Sequence, residues 1–150
     1  MTKVALIDDH ESVRLGLEAA LARTASTEVV FSGANVAAYL TWRQVAVASP
    51  ADVVVLDLTL GDGATVSENV DRVVRDGSSV IIHSVADRPA AVREALAAGA
   101  AGIVSKSSPT HEVLGAIVAV ARAYRPGVPG PVGCHGDRSR GPRRWAARPH

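Results

Sequence analysis

Asp8, Asp9, Asp57, Ser84 and Lys106 are the residues of this 150-residue chain whose types and positions could carry joint chemistry. Each closes or follows a short β-branched run: KVALI before Asp8-Asp9, VVVL before Asp57, VIIH before Ser84 and GIVS before Lys106. Carboxylates brought together repel one another, and the usual relief is a divalent cation with oxygen ligands. Mg2+ suits such a set, because it binds through one or two carboxylates and keeps water and phosphate oxygens in its remaining positions. The combination fits phosphoryl transfer: the metal and Lys106 neutralise the equatorial oxygens, Ser84 donates a hydrogen bond, and an aspartate attacks in line. Taken singly, an acid at a strand end is as often a turn former or a helix N-cap, and Lys106 reads as a solvated ammonium. The joint occurrence at four strand ends is what carries the reading.

These residues can meet only if the chain brings the ends of its apolar runs to one edge. The runs KVALI, EVVFS, DVVVLD, SVIIHS and AGIVS begin at Lys3, Glu28, Asp52, Ser79 and Ala101, at intervals of 22 to 27 residues. Between them lie segments with helical spacing, such as Val13, Leu17, Ala20 and Leu21, or Val92, Leu96 and Ala97. The alternation predicts a (βα)5 chain. DVVVLD and SVIIHS are apolar on both faces, as strands covered on both sides of a parallel sheet must be. The expected fold class is therefore α/β, a flavodoxin-like doubly wound parallel sheet forming a single domain. Right-handed crossovers place every strand's C-terminal end on one edge, where open α/β sheets bind ligands. Local signals agree: Arg88-Pro89 opens the fourth helix and Gly99 closes it, while Ser108-Pro109 opens the fifth, followed by Val113, Leu114, Ile117, Val118 and Ala121.

Composition narrows the classes further. Ala (26) and Val (23) dominate the apolar residues and aromatics reach 3%, so the core is small-chained and aliphatic. Every apolar stretch is broken by Arg, Asp or Gly well short of the ~20 residues of a membrane-spanning helix. MTKVALIDDHE lacks the longer apolar region of a secretory signal, and the single cysteine, Cys134, allows neither a disulfide framework nor a thiolate zinc site. A cytoplasmic location with no membrane partner is expected. The net charge of +1 hides an asymmetry: residues 1–124 carry 10 basic and 14 acidic side chains, whereas residues 125–150 carry 6 arginines and one acid together with 5 of the 8 prolines. The expected division is a domain over 1–124 and a basic, Pro/Gly/Arg-rich tail over 125–150 without the apolar periodicity needed to order it.

IDDHESVRLGLEAAL, VVVLDL, IIHS and AGAAGIVSK together resemble the receiver domain of bacterial two-component response regulators, particularly the NarL/LuxR-like transcription factors, over about residues 3 to 122. That resemblance implies Asp57 as phosphoacceptor and Asp8 and Asp9 as the acidic pair organising Mg2+ with Asp57. It implies Thr59 as the donor of a metal-binding backbone carbonyl, Ser84 as the switch hydroxyl and Lys106 as the phosphate-binding lysine. It further implies a sensor histidine kinase as phosphodonor and a homodimer as one outcome of the switch. Such a module accepts a phosphoryl group and is not an enzyme in the ordinary sense. A haloacid dehalogenase-type phosphohydrolase also uses aspartate, lysine and Mg2+, but it needs a second acid two residues after its nucleophile, and here Asp57 is followed by Leu58-Thr59. A pseudo-receiver acting through protein contacts alone is the other alternative.

Several positions depart from the family pattern. Ile103 stands where a switch aromatic is usual, Leu60-Gly61 replaces Met-Pro after the acceptor, Val85 follows Ser84 in place of a small residue, and Ser107 replaces the proline after the lysine. The loop after Asp57 is expected to be more flexible and access to Asp57 narrower. The subfamily's helix-turn-helix domain has no counterpart in the 26 residues after Tyr124, so sequence-specific DNA binding by this chain alone is not expected. Among the histidines, His10 reads as an exposed loop residue beside the acidic pair, His83 as packed within a strand and His111 as part of a helical first turn. Trp42 is expected to pack with Leu40 and Val45 under the second helix.

Overall fold

Alternate small β-branched side chains can bury both faces of a strand only if helices cover both sides of the sheet, and that requirement organises this chain. The computed structural model describes residues 1–85 and 88–123. Five strands, β1 (Thr2–Ile7), β2 (Thr27–Gly33), β3 (Val53–Asp57), β4 (Ser79–Ser84) and β5 (Gly102–Ser105), alternate with five helices, α1 (Glu11–Ala22), α2 (Val36–Val45), α3 (Val66–Arg75), α4 (Pro89–Ala98) and α5 (Thr110–Ala123). All strand pairs are parallel, in the order β2-β1-β3-β4-β5. The flavodoxin-like (βα)5 expectation is met. The order reverses between β1 and β3, which puts the crevice of the sheet at the ends of those two strands.

Successive residues of each strand feed opposite cores. Ala5, Ile7, Val54, Leu56, Val80 and Ile82 pack with Val36 and Tyr39 of α2, Val70 and Val73 of α3 and Ala95 of α4. Val4, Leu6, Val53, Val55, Ile81 and Val104 pack with Leu17 and Leu21 of α1 and with Val113, Ala116, Ile117 and Val120 of α5. Three helices thus cover one face and two the other. β2 lies at the edge, and its register against β1 jumps from Val4↔Val29 to Ala5↔Phe31, leaving Val30 as a one-residue bulge.

Helix ends follow local chemistry. Asn35 Oδ1 accepts from Ala38 N (2.8 Å) to cap α2, and Thr65 and Glu68 cap α3 reciprocally. Pro89 opens α4 and Gly99, at φ 116°, closes it in the left-handed conformation that an L side chain would resist. The fifth helix begins at Thr110, one residue past the proline that announces it. Two packing expectations need correction. Ala95 is the buried residue of α4 and Ala97 is exposed, because Ala97 lies five residues from Val92 and so points away from the face that Val92, Ala95 and Leu96 share. Trp42 belongs to α2 itself and packs with Phe31 and Tyr39, at ring-centroid distances of 5.5 and 6.0 Å, while Val45 is 81% exposed at the helix end.

Tyr39 ties this aromatic corner to the rest of the fold. Its ring is fully buried, its hydroxyl accepts from Ala51 N (3.0 Å) and shares a hydrogen bond with Ser78 Oγ (3.2 Å). Beside it, Arg43 forms a two-pronged ion pair with Asp76, joining the ends of α2 and α3. Tyr39→Phe leaves Ala51 N–H without its acceptor in a buried site, so the expected loss is about 1–3 kcal/mol of unfolding free energy in urea denaturation. An unchanged midpoint would show that the hydroxyl contributes nothing.

Candidate functional site

β1 and β3 are adjacent, and both end at the crevice, so the residues that follow them are forced together. Asp8, just past β1, and Asp57, the last residue of β3, are 4% and 5% exposed. The backbone anchors each carboxylate on one side. Asp8 Oδ1 accepts from His10 N (2.9 Å), and Asp57 Oδ1 accepts from Thr59 N (3.2 Å). The other oxygens, Asp8 Oδ2 and Asp57 Oδ2, are buried without a well-directed hydrogen bond from the described residues. Lys106, the first residue after β5, reaches across to them: its Nζ lies 3.0 Å from Asp8 Oδ2 and 3.3 Å from Asp57 Oδ2. Its backbone N–H donates to Ser84 O (2.8 Å), which fixes its stem to the end of β4.

The solvated ammonium that Lys106 suggests in isolation is therefore replaced by an ion-paired one, with a side chain only 15% exposed. The reason is tertiary: the ends of β1, β3 and β5 offer Lys106 two buried carboxylates that no local sequence pattern places near it. Ser84 is buried at the end of β4, but its hydroxyl donates to Val85 O (2.8 Å) rather than toward Asp57. Thr59 stands exposed beside Asp57, meeting it through its own N–H. Asp9 is partly exposed and closes the acidic side of the pocket.

Two histidines flank these groups differently. His10 is largely exposed, as expected, yet its ring is not idle: Nδ1 lies 2.9 Å from Asp9 Oδ1, 3.1 Å from Asp8 Oδ1 and 3.9 Å from Asp57 Oδ2. Asp8, Asp9, His10 and Asp57 present ligand-type atoms all within 4.8 Å of one another. His83 is packed within β4, opposite Asp57 in the register, and its Nδ1 is buried without a hydrogen-bond partner among the described residues. Burial, helped by the Lys106 charge, holds its pKa below the usual value, so the ring is neutral. His111 is exposed in the first turn of α5. Arg14 is a participant that local sequence did not single out: its Nη1 donates to Asp8 O at 2.6 Å, an interaction signalled only by its position one helical turn beyond His10.

Other departures from the expected pattern also find their places. Leu60 is buried in the core beneath α2, α3 and α4, and Gly61 adopts φ +61° in open space just after it. Val85 is 65% exposed, Ile103 is partly buried against the same core, and no cis peptide occurs among the described residues. Cys134 and the rest of the 125–150 segment lie outside the described residues.

The electrostatics of the pocket are those of three carboxylates facing one ammonium. Burial raises the Asp57 pKa and the Asp8 charge raises it further, against the lowering effect of Thr59 N–H and Lys106. For Asp8 burial also opposes ionisation, but the His10 N–H and Lys106 outweigh it and the pKa is lowered. Lys106 is desolvated, which would lower its pKa, yet its two acidic partners raise it on balance, so it stays charged.

A buried nucleophilic carboxylate at the switch point of a five-stranded parallel sheet, clasped by a lysine and flanked by an acidic pair, defines a class, and the chain belongs to it: residues 4–118 match the response regulator receiver domain family. Among curated proteins it is 36% identical over 126 residues to the transcriptional regulatory protein UhpA of Salmonella typhimurium, covering 81% of this chain and 59% of that protein. It is 31% identical over 124 residues to the transcriptional regulatory protein LiaR of Bacillus subtilis, covering 81% of this chain and 57% of that one. The chain thus spans less than two thirds of the length of either relative. Among solved structures, the signal receiver domain of a NarL response regulator from Mycobacterium tuberculosis superposes with a TM-score of 0.71 at 30% identity, covering 81% of this chain and 96% of that one.

The raised Asp57 pKa has a sign that can be tested. The folded protein holds the Asp57 proton more tightly than the unfolded chain, so Asp57 subtracts stability as pH rises from its unfolded pKa through its folded one. Asp8 does the reverse: it adds stability above its unfolded pKa, and that is lost as pH falls through its lower folded value. Asp57→Asn is therefore expected to raise stability at pH 7 in metal-free buffer by about 1 kcal/mol, or roughly 4 °C in melting temperature. The gain should shrink as acid protonates wild-type Asp57. A variant that melts lower than wild type at pH 7 would show that Asp57 is stabilised as a charge.

Proposed function

We propose that this chain is a phosphorylatable receiver whose acceptor is Asp57, charged by the phosphohistidine of a sensor histidine kinase. A carboxylate oxygen of Asp57 attacks phosphorus, the P–N bond breaks, and the donor imidazole keeps the electron pair and takes up a proton. The observation that carries the reading is the Lys106 ammonium, held 3.0 Å and 3.3 Å from carboxylates at the ends of two different strands. A cation held there neutralises equatorial oxygens without moving far. Asp8, Asp9 and Asp57, with the Thr59 carbonyl, would hold Mg2+, which supplies positive charge against the incoming phosphoryl oxygens. Two features support that fit. The buried Asp8 Oδ2 and Asp57 Oδ2 lack hydrogen bonds, and the three carboxylates face a single lysine. Ser84 completes the set when its hydroxyl turns from Val85 O to a phosphoryl oxygen, so phosphorylation exchanges one hydrogen bond for another at the end of β4.

The switch then alters partner or homodimer contacts. Its output is transcriptional by likeness to UhpA and LiaR, in the cytoplasm and without a membrane partner. No helix of the described residues is long and apolar enough to cross a membrane. Ile103 changes how the switch is read. A β-branched side chain half-buried on β5 has one strongly preferred rotamer and cannot swing a ring between two positions, so the Ser84 end of β4 must act through the backbone it shares with Lys106 N–H. The alternative of a pseudo-receiver is disfavoured by the Lys106 pairing, which keeps the acceptor poised.

Incubation with Mg2+ and acetyl phosphate is expected to add the mass of one phosphoryl group, and Asp57→Asn to add none. An unmodified wild-type protein under the same conditions, with Mg2+ shifting the amides of Asp9, Asp57 and Thr59, would favour the pseudo-receiver. We further propose that the functional domain is residues 1–124. A chain ending at Tyr124 is expected to melt within a few degrees of the 150-residue protein and to be phosphorylated equally. A drop of ten degrees or more, on the order of 2 kcal/mol, would put part of 125–150 into the fold.

A further inference from the structure

The histidine after the acidic pair is placed as a ligand would be. His10 occupies the N-cap of α1, where its side chain makes no capping bond to the helix. Its backbone is fixed on both sides: His10 N donates to Asp8 Oδ1, and Val13 N and Arg14 N donate to His10 O at 3.2 and 3.3 Å. The ring is thereby aimed back over the pocket with Nδ1 inward, while its side chain, 63% exposed, leaves an approach open from solvent. An ion with metal–ligand bonds of about 2.1 Å in octahedral array separates neighbouring donors by about 3 Å and opposite ones by about 4.2 Å. Nδ1 stands 2.9 Å from Asp9 Oδ1, 3.1 Å from Asp8 Oδ1 and 3.9 Å from Asp57 Oδ2, two neighbouring distances and one close to the opposite distance. Independently of these contacts, Asp8 Oδ2 and Asp57 Oδ2 are buried in the same pocket without hydrogen bonds.

We propose that His10 Nδ1 is a direct ligand in this pocket, and that the mixed nitrogen and oxygen donor set takes a transition cation of borderline softness, such as Mn2+ or Zn2+, more tightly than Mg2+. This rests on the reading of Asp8, Asp9 and Asp57 as a cation pocket and extends it to a fourth side chain and a second class of metal. The chemistry is that of imidazole, which favours Zn2+ and its neighbours in the first transition row and adds little for Mg2+, a hard ion that prefers oxygen. Ligation uses the lone pair of Nδ1, so the ring proton resides on Nε2, on the solvent side. A histidine that served only as a counter-charge to the aspartates would instead compete with any cation.

The test titrates the full chain and His10→Ala with Mg2+ and with Zn2+, reading binding at the amides of Asp9, Asp57 and Thr59 so that ions held elsewhere do not count. Zn2+ affinity is expected to fall about tenfold or more in His10→Ala, while Mg2+ affinity changes by less than about threefold. With Mn2+ bound, electron spin echo should show nitrogen modulation that changes on labelling with 15N-histidine and disappears in the variant. Mg2+ binding with equal Zn2+ affinity in both proteins and no nitrogen modulation overturns His10 as a ligand and leaves the carboxylate pocket standing. A failure of both ions to move the Asp57 amide overturns the pocket itself and the proposal with it.

Discussion

Two carboxylates, nearly withdrawn from water at the ends of neighbouring strands, share one lysine, and much of this protein's design can be derived from that contact. Asp8 and Asp57 repel each other, and burial removes the water that would screen them. Lys106 offsets part of the cost, as do the backbone N–H groups of His10 and Thr59. What remains uncompensated makes the pocket receptive: it gains from any cation that adds charge and from any modification that removes a carboxylate charge from the cluster. Stability and receptivity are in tension here, as they are wherever a site stores electrostatic strain.

The sheet is what makes the tension sustainable. Strands filled with Val, Ile and Leu on both faces leave no freedom for β1 or β3 to draw apart, since either movement would open a cavity in one of the two cores. The parallel arrangement sends all five strand ends to one edge, and the reversal of order between β1 and β3 keeps helices from closing over their ends. Asp8 and Asp57 are thus held by packing far larger than their own repulsion. Across the edge, Lys106 N–H to Ser84 O joins β5 to β4, so a change at Ser84 is felt at once by the lysine.

That short connection bears on how a signal leaves the pocket. Ser84 binds its own neighbour's carbonyl, and Ile103 on the adjacent strand is half-buried with little rotameric freedom. A rearrangement beginning at the hydroxyl therefore travels through the backbone of the β4 end and the segment that follows, not through an aromatic side chain changing position. Leu60, buried under the loop after Asp57, limits that loop's freedom at its start, so Gly61 and Gly63 add conformational range only beyond the anchor.

Repeating apolar runs made the fold legible from the chain alone, because a strand buried on both faces must be apolar throughout and an amphipathic helix must repeat every three to four residues. The five polar residues were legible for the same reason: they interrupt that pattern at the strand ends, where topology requires a common edge. Helix faces rich in alanine were less so, since Ala95 and Ala97 are chemically identical and only the packing of α4 on the sheet distinguishes the buried one. The state of Lys106, the direction of the Ser84 hydroxyl and the approach of His10 to three carboxylates were decided by tertiary structure. Each depends on the distance between groups many residues apart in the chain, and at that range charge and geometry act through space and leave no local signature in the sequence.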